Sequence, residues 1–209
     1  MKYKKWIRWF DVINHDILIL QISNQCNADL NSFQISQQNN FYKFLQLWYS
    51  NYMVIGIRRQ IKVNRESVSF MGLLNEMQTM PRTITRTRYL TLYEDKTKGN
   101  AIYDKFGGSG KEYLDDVKIL DDLRELKEVS SKCESFADRL IAHLDRRGLP
   151  TTKLPSYKEL KKALIHLAKL REKYAELFYG DQTRTNIISF RPPEFKNDIN
   201  SFFRRAVGE

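Results

Sequence analysis

Cysteine, proline and glycine are scarce in this sequence: its 209 residues include two cysteines, five prolines and nine glycines. Cys26 and Cys133 are far apart, which argues against a disulfide framework and predicts free, buried thiols in a reducing compartment. With three histidines at unrelated spacings, a structural zinc site is not expected. So little glycine and proline disfavours a β-sandwich and favours a helical protein.

Long hydrophobic runs are also missing. The apolar stretch 12–22 is short and is interrupted by Asn14, His15 and Asp16, which excludes it as a membrane span. The first ten residues, M-K-Y-K-K-W-I-R-W-F, lack the small-residue cleavage site of a signal peptide. The sequence therefore predicts a cytoplasmic protein with no membrane segment.

Positive charge is plentiful. The chain has 35 Lys and Arg against 25 Asp and Glu, a formal net charge of +10, and a pI near 9.5. This excess favours an anionic partner, with nucleic acid first and a membrane surface second. The alternative is a protein that is basic without a polyanionic partner.

Hydrophobic periodicity predicts an antiparallel helix bundle in one domain, residues 1–209. Residues 27–40 are expected to be a loop or frayed turn. Residues 82–110 are the least regular part of the chain, in which 89–93 could form a short extended piece, and 195–206 is a short amphipathic segment in the tail. We expect Ser67 to cap the short third helix, and Ser156 with Glu159 to form a capping box on the last long one. The predicted helices are 6–25, 41–62, 67–77, 111–130, 130–150 and 157–179, and the 111–130 helix either runs into the 130–150 helix or stacks just before it.

The stretch from Ser130 to Pro150 carries the most chemistry. On a helical wheel Cys133, Phe136, Ala137, Leu140, Ile141 and Leu144 share an apolar face, whereas Arg139, His143, Arg146 and Arg147 share another. Histidine titrates near neutral pH, and no other place in the chain puts such a group inside an arginine cluster. The alternative is a histidine that only compensates a helix dipole.

Other polar features have plainer interpretations. Arg58 and Arg59 end the 41–62 helix, where they either compensate its dipole or face phosphate. The glycine-rich 106–112 stretch lacks Walker A spacing and is expected to be a turn. Acidic residues along 111–130 are expected to form a solvated face and not a metal site. His166 is expected at the surface or at an interface.

The string A-D-R-L-I-A-H-L-D at 137–145 resembles the motif region of HEPN proteins, in particular their abortive-infection-like branch. The resemblance extends to the order of segments over roughly 38–180: an aromatic helix, S-V-S-F-M-G-L-L-N-E-M, the motif helix, and P-S-Y-K-E-L-K-K-A-L-I-H-L-A-K-L-R-E-K-Y. It implies an all-α, antiparallel up-and-down four-helix core, with a helix over 1–30 and a tail over 181–209 as extra elements.

The resemblance also implies a function. The expected activity is metal-independent, cofactor-free RNA cleavage by 2′-OH attack at a site shared by two copies of a homodimer, in a toxin or antiviral effector. His143 would transfer protons or bind phosphate, and Asp138 and Arg139 match the polar and basic positions beside it. Asp145 would orient or pair with nearby cations, while Arg58, Arg59, Arg146 and Arg147 would attract RNA. An expected further partner is an antitoxin, either a nucleotidyltransferase or a DNA-binding protein.

One position departs from the family pattern. Ala137 stands in register with the family arginine, and Arg139 is too close to His143 to replace it. Three accounts follow: a natural binding-only member, takeover by Arg139, Arg146 or Arg147, or an engineered Arg→Ala replacement that silences a toxic nuclease. An isolated alanine in an otherwise intact motif favours the third account. The competing class is a non-catalytic RNA- or nucleotide-binding module or a protein-interaction partner.

Overall fold

The computed structural model describes residues 2–32, 40–138, 155–181 and 197, and the described chain is all-helical. Short 3₁₀ turns occupy Pro81–Thr83 and Leu90–Leu92. Extended pairing within the described ranges is limited to two isolated bridges, Asn64 with Ser67 and Thr85 with Tyr113. The expectation of an all-α protein is confirmed. The helices are α1 (Lys2–Ser32), α2 (Asn40–Ile61), α3 (Phe70–Thr79), α4 (Arg86–Tyr89), α5 (Lys96–Gly107), α6 (Asp116–Phe136) and α7 (Tyr157–Tyr179).

α1 and α2 run antiparallel and are joined by a polar seam. The hydroxyl of Tyr49 donates to Asn24 at 2.8 Å, and the hydroxyl of Tyr42 donates to Asn31 at 2.6 Å. Between them the amide of Gln46 donates to Asn27 at 3.0 Å. We call these three pairs the amide seam. Each pair satisfies polar groups that would otherwise lose water where the helices pack.

The prediction of a loop beginning at residue 27 is wrong for residues 27–32, which are the last turns of α1. Their Asn- and Asp-rich composition suggested a loop because these side chains usually compete with helical backbone bonds. Here the side chains of Asn27 and Asn31 instead bond to α2. α1 also contributes Trp6, Phe10 and Ile13 to the core, so the helix expected as an N-terminal extension is integral to it.

α7 packs antiparallel to both α1 and α6. Tyr179 donates to Asp11 and Arg171 donates to Asn14, so α7 ends beside the start of α1. Its own boundaries match the prediction. Ser156 and Glu159 form the expected capping box, and Gly180 follows the last turn with a positive φ of 58°. Glycine favours that conformation because a Cβ would be strained there.

The core is rich in aromatic side chains. The rings of Phe10 and Phe178 lie 4.9 Å apart, and Phe70 meets Tyr174 edge-on at 5.7 Å. Full burial of one such side chain contributes about 1.5–3 kcal/mol. Because α1, α3 and α7 all supply these rings, the three helices share one core. The largest fully buried side chains include Trp6, Tyr89, Tyr103, Tyr174, Phe10 and Phe70.

The stretch 82–110 is more ordered than predicted, because α4 and α5 lie within it. Its organising residue is Arg86, whose guanidinium donates to Asp104 at 2.6 Å and to the carbonyls of Gly108 and Lys111 at 2.7 Å each. Gly108 has a φ of 85°, and the predicted turn after residue 106 is confirmed. Arg86 therefore folds this segment onto itself.

Two further boundaries differ from the predictions. The N-cap of α3 is Ser69 and not Ser67; its hydroxyl accepts from the amide of Gly72 at 3.0 Å. α6 begins at Asp116 and not at residue 111, and it passes through Ser130 without a break, so the predicted 111–130 helix runs into the next one. The remainder of the predicted 130–150 helix and the 195–206 segment lie outside the described residues, apart from 130–138 and residue 197.

Candidate functional site

The C-terminal end of α2 meets the C-terminal end of α6 through a charged cluster. The Nε of Arg58 donates to Oδ1 of Asp138 at 2.6 Å, and the Nζ of Lys62 lies 3.6 Å from Oδ2. Cations are favoured in the last turn of a helix because the dipole is negative there. Arg58 and Lys62 thus offset the dipole of α2 and also hold the side chain of Asp138, the first polar residue of the motif.

The protonation of Asp138 follows from this geometry. Partial desolvation acts to raise its pKa, but the hydrogen bond from Arg58 and the charges of Arg58 and Lys62 outweigh it and lower the pKa below its usual value. Asp138 is therefore ionised at neutral pH. Its side chain is 37% exposed and that of Arg58 is 27% exposed, so the pair borders solvent.

Arg59 points to a different partner. Its Nη2 lies 2.9 Å from Oδ2 of Asp16 on α1, and the same oxygen accepts a 3.1 Å bond from Gln60. Consecutive helical side chains diverge by about 100°, which separates Arg59 from Arg58. Both predicted phosphate-facing arginines hence have carboxylate partners in the described chain, and only Arg58 lies beside the motif.

Ala137 is buried, with 1% of its surface exposed. Its backbone amide continues α6 by donating to the carbonyls of Cys133 and Glu134. Cys133 and Phe136 are buried with it, which confirms that part of the predicted apolar face. A guanidinium at position 137 would start from this buried face, where an unpaired charge is strongly disfavoured.

Comparisons with known proteins give no match: no family model, no curated protein and no solved structure is similar to the chain. The geometry of the cluster has therefore to be interpreted from the residues themselves.

The rest of the predicted site lies outside the described residues: Arg139, His143, Asp145, Arg146 and Arg147. The structure places Asp138 and Ala137 at the point where that segment begins and brings Arg58 and Lys62 to it. Lys62 belongs to the cations that end the predicted 41–62 helix, for which the sequence left open dipole compensation or a phosphate-facing role. It follows Arg58 by one helical turn, so the two share a face.

The described residues contain neither a cluster of metal-binding side chains nor a helix that could span a membrane. In the part of the chain that the structure describes, no group of three or more His, Cys, Asp or Glu side chains is arranged to hold a metal ion. No described helix combines the length and apolar character needed to cross a bilayer.

A second polar cluster joins α6 and α7. Asp122 is buried and accepts from Lys173 at 2.6 Å and from the Tyr174 hydroxyl at 2.7 Å. Nearby, Nδ1 of His166 lies 3.7 Å from Glu125. Burial lowers the pKa of His166, a shift only partly opposed by Glu125 and Asp122. Its side chain is 12% exposed, so the expected surface position is wrong, and Asp122 does not belong to a solvated face. These residues tie the two helices together inside the bundle.

Proposed function

We propose that the protein is a metal-independent endoribonuclease of the HEPN kind, a cytoplasmic toxin or abortive-infection effector that acts as a homodimer. The observation that carries the proposal is the ion-paired Asp138, held by Arg58 and Lys62 at the start of the motif segment. This cluster joins the aromatic helix α2 to the first motif residues at the end of α6, two segments that follow the order of the family in the sequence. The net charge of +10 suits a polyanionic substrate.

The proposal requires one RNA strand to touch both His143 and this cluster. His143 follows Asp138 by five residues in the sequence, and a chain spans at most about 3.6 Å per residue. A strand bound at His143 would therefore have to extend at most about 18 Å to reach the Cα atom of Asp138. Asp138 neutralises part of the positive charge of Arg58 and Lys62, and phosphate would compete with it for them.

The proposed reaction needs no metal. A base takes the proton of a ribose 2′-OH, the 2′-oxygen bonds to the adjacent phosphorus, and the bond to the 5′-oxygen breaks as that oxygen gains a proton. The products carry a cyclic phosphate and a free 5′-hydroxyl. His143 is suited to the proton transfers, because imidazole exchanges protons near neutral pH. Arginine is suited to hold the charge that grows on the phosphoryl oxygens.

The buried position of Ala137 bears on which arginine holds the charge of the phosphoryl oxygens. A side chain that starts from a core-facing Cβ is poorly placed to meet a substrate at the surface. Burial therefore favours the account in which Arg139, Arg146 or Arg147 holds the phosphate, over an arginine replaced at position 137. A second copy of the chain would supply the opposite half of the site.

Cleavage without metal tests the proposal. The chain would be incubated with labelled RNA in excess chelator, and products would be examined for cyclic phosphate ends. We expect His143→Ala to abolish cleavage while RNA binding persists, and His15→Ala to have no effect. Ala137→Arg adds the decisive comparison, because a gain of cleavage only in that variant supports the replaced-arginine account. Cleavage that survives His143→Ala contradicts the proposed role of the imidazole.

The second candidate function is a non-catalytic RNA- or nucleotide-binding module, favoured by the alanine at the family arginine position. It predicts no cleavage in any variant, including Ala137→Arg. It further predicts that removal of Arg146 and Arg147 weakens salt-sensitive RNA binding. An antitoxin, either a nucleotidyltransferase or a DNA-binding protein, would be sought in the adjacent gene.

A further inference from the structure

A cluster of exposed cations lies at the opposite end of α1 from the amide seam. α1 contributes four of them, the 3₁₀ turn between α3 and α4 contributes Arg82, and α4 contributes Arg88. Two contacts bring these segments together: Lys2 lies against Sδ of Met80, and the guanidinium carbon of Arg88 is 4.6 Å from the ring centroid of Tyr3. We call these residues the α1 cationic cluster: Lys2, Lys4, Lys5, Arg8, Arg82 and Arg88, all exposed.

The charge of this cluster is poorly compensated. Three carboxylates border it: Glu76, which pairs with Lys5 at 2.9 Å; Glu112, which accepts from the amide of Thr87 at 3.3 Å; and Asp11, which lies one turn beyond Arg8 on α1 and accepts from Tyr179. Six cations minus three carboxylates leave a local charge of +3.

Helix electrostatics make the arrangement costly. The first turn of α1 has no acidic residue and begins with Lys2, Lys4 and Lys5. The positive end of a helix dipole favours carboxylates, so these lysines are destabilising where they stand. Glu76 offsets Lys5, but the first turn of α1 itself supplies no carboxylate. A sequence that breaks this local rule is typical of a functional surface. An anion bound there would relieve both the lysines and the dipole.

The surroundings favour nucleic acid over a lipid bilayer. Proteins that bind membranes with basic residues usually add an apolar wedge that enters the lipid. The exposed large hydrophobic side chains beside the cations are Tyr113, whose ring centroid lies 5.4 Å from the Arg82 guanidinium carbon, and Val12, one turn beyond Arg8. These two side chains come from different segments, and Tyr3 and Trp6 are buried, so they do not form the apolar face of an amphipathic membrane helix. A cationic surface with scattered apolar side chains fits the phosphate backbone, which needs charge and no insertion.

We propose that the α1 cationic cluster binds the phosphate backbone of RNA at a surface distinct from the Asp138 cluster. The inference rests on the proposed function for the choice of RNA. The two surfaces are separated along α1: Arg59, next to Arg58 on α2, pairs with Asp16, which is 8 to 14 residues beyond Arg8 and Lys2. At a rise of about 1.5 Å per residue this is about 12–21 Å. The cluster would hold RNA that extends beyond the cleaved bond.

The experiment measures binding of the full chain to a labelled single-stranded RNA in chelator, over a range of salt concentrations. The test variant replaces Lys4, Arg8, Arg82 and Arg88 with glutamine. Each lost phosphate contact should reduce the slope of log K against log salt by about 0.7, so up to about 3 in all. At about 0.1 M salt we expect affinity to fall about ten-fold or more.

The matched control removes the same charge elsewhere by replacing Arg124, Lys127, Lys162 and Lys169, all exposed on α6 and α7, with glutamine. An equal loss in both variants would mean attraction by net charge alone and would overturn the proposal. Unchanged affinity in the test variant would overturn it too, as would failure of the parent chain to bind RNA. If the fourfold variant misfolds, the single surface change Lys4→Glu provides the test. That variant should bind the labelled RNA more weakly than the parent chain.

A parallel experiment measures binding of the parent chain and the test variant to vesicles of phosphatidylserine and phosphatidylcholine. Loss of vesicle binding in the test variant with RNA binding unchanged would assign the cluster to a membrane surface and overturn the proposal. The nuclease hypothesis is judged separately, because His143→Ala should remove cleavage and leave the salt dependence unaltered. Binding through the cluster with no cleavage in any variant would retain this inference and reject the nuclease.

Discussion

Replacing Ala137 with arginine should destabilise the fold. The Ala137 side chain is 1% exposed and lies beside buried Cys133 and Phe136. Forcing a long side chain into a packed site costs about 1–3 kcal/mol. An uncompensated charge raises the total to about 3–5 kcal/mol. In a chain of this size each kcal/mol shifts Tm by about 2–4 °C, so a decrease of about 6–20 °C is expected.

The measurement is thermal unfolding followed by circular dichroism, with Ala137→Met as control. Methionine has a similar length and no charge, so it should show the packing cost alone, about 1–3 kcal/mol. The difference between the two variants isolates the guanidinium. A Tm for Ala137→Arg within about 2 °C of the parent would refute the reasoning. The guanidinium would then reach solvent, and position 137 would again be a candidate for the family arginine.

Three further predictions concern stability. Hydrogen bonds from Lys132 and Ser156 lower the pKa of Glu159 to about 2, so its contribution is present above about pH 4.5 and is lost as pH falls toward 2; Glu159→Gln should flatten that acid loss in urea titrations. Because burial lowers the pKa of His166 from 6.5, protonation favours the unfolded chain, and stability should decline as pH falls below 6.5; His166→Gln should remove that dependence of the urea midpoint. Gly56→Ala should destabilise by about 1 kcal/mol despite better helix propensity, since the new Cβ would lie 2.3 Å from Cδ2 of Leu20; in a Leu20→Ala background the same change should stabilise, which a double-mutant cycle measures.

Local signals explain what the sequence predicted correctly. The boundaries of α7 follow from Ser156, Glu159 and Gly180, each of which acts within a few residues of its own position. The buried face of α6 follows from the spacing of Cys133, Phe136 and Ala137. Such features need no knowledge of distant segments, so helical periodicity and capping rules are enough.

Long-range contacts explain what was missed. Asn27 and Asn31 are helical because their partners on α2 replace the local bonds that asparagine usually makes. α5 was assigned to an irregular region because 82–110 lacks regular periodicity. Packing requires the glycine near its end, since a Cβ at Gly107 would lie 2.7 Å from the carbonyl oxygen of Tyr113. The bond between Arg58 and Asp138 joins residues 80 positions apart, and no pattern in the sequence indicates it.

The register of α1 against α2 has a consequence for how the two proposed surfaces work together. Sliding α1 by one turn, about 5.4 Å, would let the amide seam pair again, because Asn24, Asn27 and Asn31 recur at one-turn spacing. It would nevertheless separate Asp16 from Arg59 and Gln60. It would also remove Leu20 from its close fit against Gly56, so the register is strongly specified. Lys2 and Arg8 are on the same rigid helix as Asp16, which contacts Arg59. The distance between the α1 cationic cluster and the Asp138 cluster is therefore constant. RNA segments too short to contact both surfaces would bind more weakly than longer ones.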